Sequence, residues 1–420
     1  MYRKVTLDNG LRVITSVMPH TYSVSIGILI GVGSRYETDA QAGISHFIEH
    51  LCFTGTKKMS SAKEISEAIE GVGGILNGGT DKESTLYWCK VPRAHFRMAL
   101  GVLADMLLNS RFDGKDVEKE CRIIIDEINM SWDSPAQRVG ILIDELLWPR
   151  HPLGRDIAGS ADSISAISRD MIIDYLRSHY LPGSTVVTVA GNIDHDEVVT
   201  AIEQTMGGWA DRQPKSGYLA YKEQTAGRLH IETKDTEQVH LCLALPGLSL
   251  FHPQRFALGL LNGILGEGMS SRLFVEIRDK LGLAYSIYSY IDHLLDSGAM
   301  AVYAGVQPKD LQVAVTAILE QLSRLKEEIP EAELVKVKEM FRGRLMLRLE
   351  DSSRVTGWLG IQELLIGRIL LPEQVIDIVD AIDTAQLKQL ARDLLVGDQL
   401  RLAVVGPVTG DEPLDKLLEL

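Results

Sequence analysis

The stretch GISHFIEHL (43–51) sets His46 and His50 four residues apart, with Glu49 just before the second histidine. On a helix each residue turns about 100°. Ile44, Phe47, Ile48 and Leu51 then fall within about 60° of one direction. His46 and His50 share the far side, about one turn apart, so both imidazoles reach a single ion. Glu49 is on that side but displaced from both. Zinc takes imidazole nitrogens well and, in catalytic sites, keeps a position open for water. Glu49 is too displaced to be the natural third ligand and well placed to take a proton from that water. The plainer alternative is a solvated polar face holding two of the chain's 11 histidines. The complete His-x-x-Glu-His set is rarer than an i, i+4 histidine pair, and it inverts the thermolysin-type zinc motif.

A site of this kind needs another protein ligand. The segment DVEKECRIIIDEINM (116–130) offers one. With Val117 at zero on a helical wheel, Cys121, Ile124, Ile125 and Ile128 fall within about 80°. Glu118, Lys119, Arg122, Asp126 and Asn129 take the opposite arc. Glu120 and Glu127 do not join them; at about 300° and 280° they interrupt the apolar arc. Carboxylates there are costly unless paired or bound to metal. The alternative is that both lie at the arc's edge and reach water or a basic side chain.

The elements that would position these groups follow from local signals. Asn9-Gly10 between KVTLD and LRVIT predicts a two-residue hairpin. VSIGILIGVGS predicts a buried strand, and residues 44–54 a helix ended by Gly55. Ser61 and Glu64 form a capping-box pattern opening a second helix, closed by Gly71. NGGT (77–80) reads as a turn into the strand LYWCKV, and two long helices are expected near 95–108 and 115–131.

The chain has 420 residues, 45% hydrophobic and 24% charged, enough for two domains with cores of their own. A net charge of −14 argues against nucleic-acid binding and anionic membrane surfaces. No apolar run reaches the ~20 residues of a membrane span, and the N-terminus lacks the apolar core of a signal peptide. Cys52, Cys89, Cys121 and Cys242 are scattered, without a C-x-x-C pair, as expected of reduced core thiols in a cytoplasmic protein. The polar stretch near 211–227 suggests a linker over 213–225, between domains at 1–212 and 226–420.

An internal repeat supports that cut. AISRDMIIDYLRSHYLPGSTVVTVAG, ending at Gly191, aligns without gaps on AIDTAQLKQLARDLLVGDQLRLAVVG, ending at Gly406, at an offset of 215. At the same offset VSIGILIGV (24–32) falls on VHLCLALPG (239–247). His46, Glu49 and His50 fall on Leu261, Ile264 and Leu265. A polar cluster required by the fold would tend to appear in both copies; one confined to a single copy is more easily a site.

HFIEHLCFTGT (46–56), LNGGTDKESTLYW (76–88), ECRIIIDEI (120–128) and SSRLFVEIRDKLGLAYS (270–286) resemble the pitrilysin/insulinase family of zinc metallopeptidases. The branch resembled is that of mitochondrial processing peptidase and its bacterial relatives. The family's ligating glutamate follows the second histidine by about 76 residues, and 76 residues separate His50 from Glu127. The resemblance implies His46, His50 and Glu127 as ligands of one Zn2+ per chain, Glu49 as general base, and Glu120 in support around the metal. LNGGT matches a strand edge that docks extended peptides, which implicates Asn77 and the backbone of Gly78. Gly78 stands where the family has alanine, which loosens the edge without changing the docking mode. Asn77 is also an ordinary turn residue before two glycines. Arg278 and Tyr285 match a family pair that binds substrate backbone, with Tyr285 polarising the carbonyl. Without the resemblance they read as a helix ion-pair residue and a strand aromatic.

The fold class expected is α+β. Two homologous domains, each a mostly antiparallel sheet with packed helices, form half of a peptide chamber, the second domain being inactive. The implied function is a zinc-dependent endopeptidase acting on peptides or unfolded segments, as a cytoplasmic homodimer. The alternative is a structural subunit like the core subunits of the cytochrome bc complex, which commonly lose motif residues that this chain retains.

Overall fold

The computed structural model describes residues 2–210, 217–224, 227–408 and 414–420. It forms two compact units, and neither is a contiguous half of the chain. The first comprises residues 1–128, 156–219 and 345–371; the second comprises 129–155, 220–344 and 372–420. Of the linker expected over 213–225, residues 213–216 and 225 lie outside the described ones.

The first unit holds a six-stranded sheet in the order β1-β2-β6-β3-β5-β4. Its strands are β1 (Tyr2–Thr6), β2 (Arg12–Val17), β3 (Ser23–Ile30), β4 (Ile75–Thr80), β5 (Thr85–Pro92) and β6 (Thr185–Gly191). Every pairing is antiparallel except β2 with β6. Alternation along the strands divides the apolar residues between two faces. Val13, Ile26, Ile28, Val187 and Val189 pack on one side with Ile44, Phe47, Ile48 and Leu51 of α1 (Ile44–Cys52). Ile14, Val186 and Ala190 face the other way, against Val355 and Leu359 of the helix Ser352–Ile361.

The second unit repeats the plan with five strands in the order β7-β11-β8-β10-β9. These are β7 (Leu229–Thr233), β8 (Val239–Pro246), β9 (Ala284–His293), β10 (Gly298–Val306) and β11 (Arg401–Gly406), with only β7 and β11 parallel. The offset of 215 carries the helix Arg169–His179 onto the helix Thr384–Leu394 end for end. It also superposes the starts of the helices Phe96–Asn109 and Leu311–Glu327.

The repeat explains the interleaving. The helix Pro135–Leu147 lies in the first copy of the sequence, yet its Val139, Leu142 and Ile143 pack on Cys242, Ala244, Ala403 and Val405 of the second sheet. Its counterpart, Ser352–Ile361, covers the first sheet. Each sheet is thus closed on one face by a helix from the other half of the sequence. Gly360 permits this on the first sheet, since a Cβ there would stand 2.4 Å from Leu29 Cδ1.

Local expectations hold with adjustments. The Asn9-Gly10 hairpin is a three-residue turn, Asp8-Asn9-Gly10. Leu7 N–H bonds Leu11 O at 2.9 Å, and Gly10 adopts φ 85°. That is the three-residue loop with a left-handed third position, not the two-residue type. The NGGT segment lies inside β4, and the turn follows it, with Asp81 N–H bonded to Ser84 O. Ser61 Oγ caps Glu64 N–H as the capping pattern requires, but the Glu64 carboxylate turns to the N–H and hydroxyl of Ser60. No helix among the described residues is long and apolar enough to cross a membrane.

Candidate metal centre

Helix α1 begins without a side-chain cap. Its N-cap, Gly43, has φ 91°, and a Cβ there would stand 2.5 Å from Ala158 O and 2.6 Å from Ile164 Cδ1. Glycine is required by the contact and by the backbone angle. The missing cap comes from Glu37, six residues upstream. Its buried carboxylate accepts from Gly43 N–H and Ser45 N–H, both at 2.8 Å. A carboxylate at a helix N-terminus satisfies orphan donors and matches the helix dipole. Ser45 Oγ is hydrogen-bonded to the Tyr175 hydroxyl at 2.9 Å. The helix ends at Cys52, before Gly55, because Thr54 bonds Leu51 O through both its N–H and its hydroxyl.

So anchored, α1 buries Ile44, Phe47, Ile48 and Leu51 and turns His46, Glu49 and His50 outward. A long helix, Gly114–Asp133, runs across them. His46 Nε2 lies 3.3 Å and His50 Nε2 3.6 Å from Glu127 Oε2. The two imidazole rings stand 4.5 Å apart between centroids. One donor atom from each of His46, His50 and Glu127 lies within 4.8 Å of the other two, and among the described residues this is the group that could hold an ion. Donors held ~2.0–2.2 Å from a tetrahedral ion stand roughly 3.3 Å apart, so the nitrogen–carboxylate spacings fit a zinc-type site.

Around these three the remaining groups take distinct places. Glu120 is buried, and its Oε2 lies 3.4 Å from His50 Nδ1. Donation by Nδ1–H to Glu120 leaves the Nε2 lone pair directed at the ion position. Burial would raise the Glu120 pKa, but the His50 hydrogen bond and the Lys119 charge outweigh it and hold the carboxyl below its usual range. At His46 burial opposes protonation, yet Glu49 and Glu127 prevail and raise its pKa above the ordinary imidazole value. Glu49 Oε2 lies 3.6 Å from His46 Nδ1 and 3.4 Å from the Thr80 hydroxyl.

The wheel reading is half right about the two carboxylates. Glu120 belongs to the buried stripe with Val117, Ile124 and Ile128, whereas the Glu127 side chain is 49% exposed. Glu127 escapes burial because it faces the polar side of α1, where the site opens to solvent. Asn77 and Gly78 lie on β4, which pairs only with β5 and so forms the sheet's edge. Asn77 is exposed, and its Oδ1 accepts from Gly78 N–H at 2.8 Å. A cavity of about 320 Å³ lies beside the site, lined among others by Glu49, His50, Phe53, Leu76, Asn77 and Glu120.

In the second unit the helix Arg255–Gly266 carries Leu261, Ile264 and Leu265 at the positions equivalent to His46, Glu49 and His50, all buried. The polar set is therefore no requirement of the helix's packing. Arg278 and Tyr285 meet in this unit. The guanidinium lies 4.7 Å from the Phe274 ring centre and 4.9 Å from that of Tyr285, and the Tyr285 ring is largely exposed. Arg278 is thus a cation–π partner rather than the helix ion-pair residue of the plainer reading.

Sequence reasoning missed Glu37, Thr80 and Asp156. The Asp156 carboxyl is pushed up in pKa mainly by burial, with the Ala158 N–H, Lys82 and His46 opposing. Glu37 and Asp156 bond backbone N–H groups, which carry no side-chain pattern, and Thr80 meets Glu49 from 31 residues away.

Residues 12–161 match the family model for insulinase (peptidase family M16), and residues 166–341 match that for the peptidase M16 inactive domain. A relative described as the uncharacterized zinc protease YmxG of Bacillus subtilis is 37% identical over 414 residues, covering 98% of this chain and all of that one. A second uncharacterized zinc protease, from Streptomyces coelicolor, is 36% identical over 97% of this chain and 90% of its own length. The fold is shared with a protease from Helicobacter pylori, at a TM-score of 0.91 and 24% identity over 97% of this chain and 99% of that one. It is also shared with a chain of complex III2 from Candida albicans, at 0.84 and 20%, over 99% of this chain and 98% of that one. The chain therefore belongs to the insulinase (M16) family of peptidases, with the His46–His50–Glu127 cluster in the half that matches the peptidase model and leucines at the positions of both histidines in the half that matches the inactive domain.

Proposed function

We propose that this peptidase is a zinc-dependent endopeptidase in which His46, His50 and Glu127 hold one Zn2+ and Glu49 is the general base. The observation that carries the reading is the convergence of those three donors within 4.8 Å, with a fourth group, the Glu49 carboxylate, alongside and not needed as a ligand. Zinc, when bound there, supplies Lewis acidity that lowers the pKa of water and polarises the peptide carbonyl. Glu49 takes the proton of the attacking water and returns one to the departing amine. Glu120 fixes the His50 tautomer through Nδ1. Peptide docks as an added strand on the free edge of β4, with Asn77 and the Gly78 backbone as contacts. Arg278 and Tyr285 bind substrate backbone, and Tyr285 stabilises the developing oxyanion.

The substrates are peptides and unfolded segments admitted to an enclosed chamber, and the working form is a cytoplasmic homodimer. The retained donor set favours this reading over a structural subunit of the kind suggested by the complex III2 likeness, which rests on fold alone. The test is a single preparation. Wild type is expected to bind one zinc per chain, to sediment at twice the chain mass and to cut quenched-fluorescent peptides. Glu49→Gln should keep its zinc and lose at least about a hundredfold in kcat. A Glu49→Gln variant that cuts like wild type sinks the mechanism; wild type without metal or cleavage returns the structural-subunit reading.

A further inference from the structure

β4 has two sides. Ile75, Asn77 and Gly79 point outward and are exposed; Leu76, Gly78 and Thr80 are partly buried and turn the other way, as alternation along a strand demands. Two of the inward residues meet Glu49. The Thr80 hydroxyl donates to Glu49 Oε2 at 3.4 Å. Glu49 Oε1 fills the space where a side chain at Gly78 would begin, 2.7 Å from the position of a Cβ, with Phe53 Cε2 at 3.0 Å from the same point.

We infer that Thr80 and the bare Cα of Gly78 form the seat of the Glu49 carboxylate, which makes Thr80 a positioning residue for the base. The inference rests on Glu49 being the base, as proposed above. Glutamate has three rotatable bonds and reaches several positions from α1. Its Oε2 has a competing partner in His46 Nδ1, at 3.6 Å. A carboxylate drawn to that imidazole would neutralise a ligand's outer nitrogen instead of waiting for a water proton. The Thr80 hydroxyl holds the same oxygen from the strand side, and the empty position at Gly78 lets the other oxygen settle against the backbone. β4 thereby serves two tasks, an outward edge free for an incoming peptide and an inward face that aims the base. A shift of the strand on docking would reach Glu49 directly.

Valine at position 80 keeps the shape and strand propensity of threonine and removes only the hydroxyl. The expected result for Thr80→Val is a fall of roughly tenfold in kcat with KM within about twofold, the scale of one hydrogen bond to a charged group. Zinc retention against a chelator and the thermal midpoint should match wild type. Thr80→Ser, which restores the donor, should recover most of the loss. In a Glu49→Gln background, Thr80→Val should cost nothing more, because both changes act through one carboxylate. The inference is overturned if Thr80→Val turns over like wild type while Glu49→Gln is dead. It is also overturned if the loss appears in KM, zinc retention or melting, if serine fails to rescue, or if the two substitutions are additive. Glu49→Gln cutting at the wild-type rate overturns the base assignment itself, and this inference with it.

Discussion

Glu37 sets the start of the helix that carries His46. It binds the backbone at the start of α1, and the orientation of both histidines depends on that start. Glu37→Gln leaves a single acceptor oxygen for two N–H groups and removes the charge from a helix N-terminus. The expected cost is about 1–2 kcal/mol of stability, with zinc retained several-fold less well in a chelator competition. Unchanged zinc affinity would mean that α1 is held by its apolar face alone. The histidine pair and Glu49 were legible in the sequence because helical geometry converts spacing into proximity, whereas Glu127 was marked by the wheel only together with Glu120 and as the ligand only by the family resemblance. Glu37 and Thr80 were not. Glu37 serves two backbone amides, which have no sequence signature, and Thr80 meets Glu49 only once β4 has paired with β5. Glu127 was legible as a candidate for a partly mistaken reason, since its position on the wheel suggested burial and the structure leaves it half exposed.

Elements were read better at their centres than at their ends. The helix over 44–54 exists, but Thr54 rather than Gly55 stops it. NGGT carries turn composition, yet pairing with β5 and contact with α1 hold it in a strand, a case of tertiary context overriding local preference. The helix Ser352–Ile361 shows how an element can carry its own attachment. Its N-cap Asp351 accepts from Ser353 N–H at 2.7 Å and Arg354 N–H at 3.2 Å, and it pairs with Lys90 of β5 at 2.6 Å. Partial burial opposes ionisation, but Lys90 and the Ser353 groups prevail and hold the carboxyl well below the usual range. The folded carboxyl therefore ionises at lower pH than the unfolded one, near 4. Its stabilisation is complete above that pH and is lost as pH falls toward the folded value. Asparagine keeps the cap and removes the charge. Asp351→Asn should lower stability by about 1 kcal/mol or less at neutral pH, the side chain being 43% exposed. The gap in thermal midpoint from wild type should close progressively below about pH 4. A gap independent of pH would assign the effect to packing.

At the scale of the whole molecule, the duplication was visible as a constant offset, and the structure extends it over helices and strands alike. The reciprocal use of the helices Pro135–Leu147 and Ser352–Ile361 was not visible, because each is an ordinary amphipathic segment whose partner sheet no local rule names. A chain cut in the 217–224 segment yields pieces that do not coincide with the units. The fragment ending at Leu219 lacks the helix that covers Ile14, Val186 and Ala190. Alone it should aggregate and melt without cooperativity, and mixing with the second fragment during refolding should restore a cooperative transition and zinc binding. A first fragment that folds by itself would show that the exchanged helix is dispensable.

The same exchange bears on the chain's birth. The unit that carries His46, His50 and Glu127 takes its last segment from residues 345–371 of 420. The ribosome must therefore have released most of the polypeptide before that unit can close. A truncated product, from a broken message or a stalled ribosome, carries His46, His50 and Glu127 beside a sheet with one side bare. Such a product leaves Ile14, Val186 and Ala190 without their covering helix, so its metal-binding residues stand on an incomplete unit.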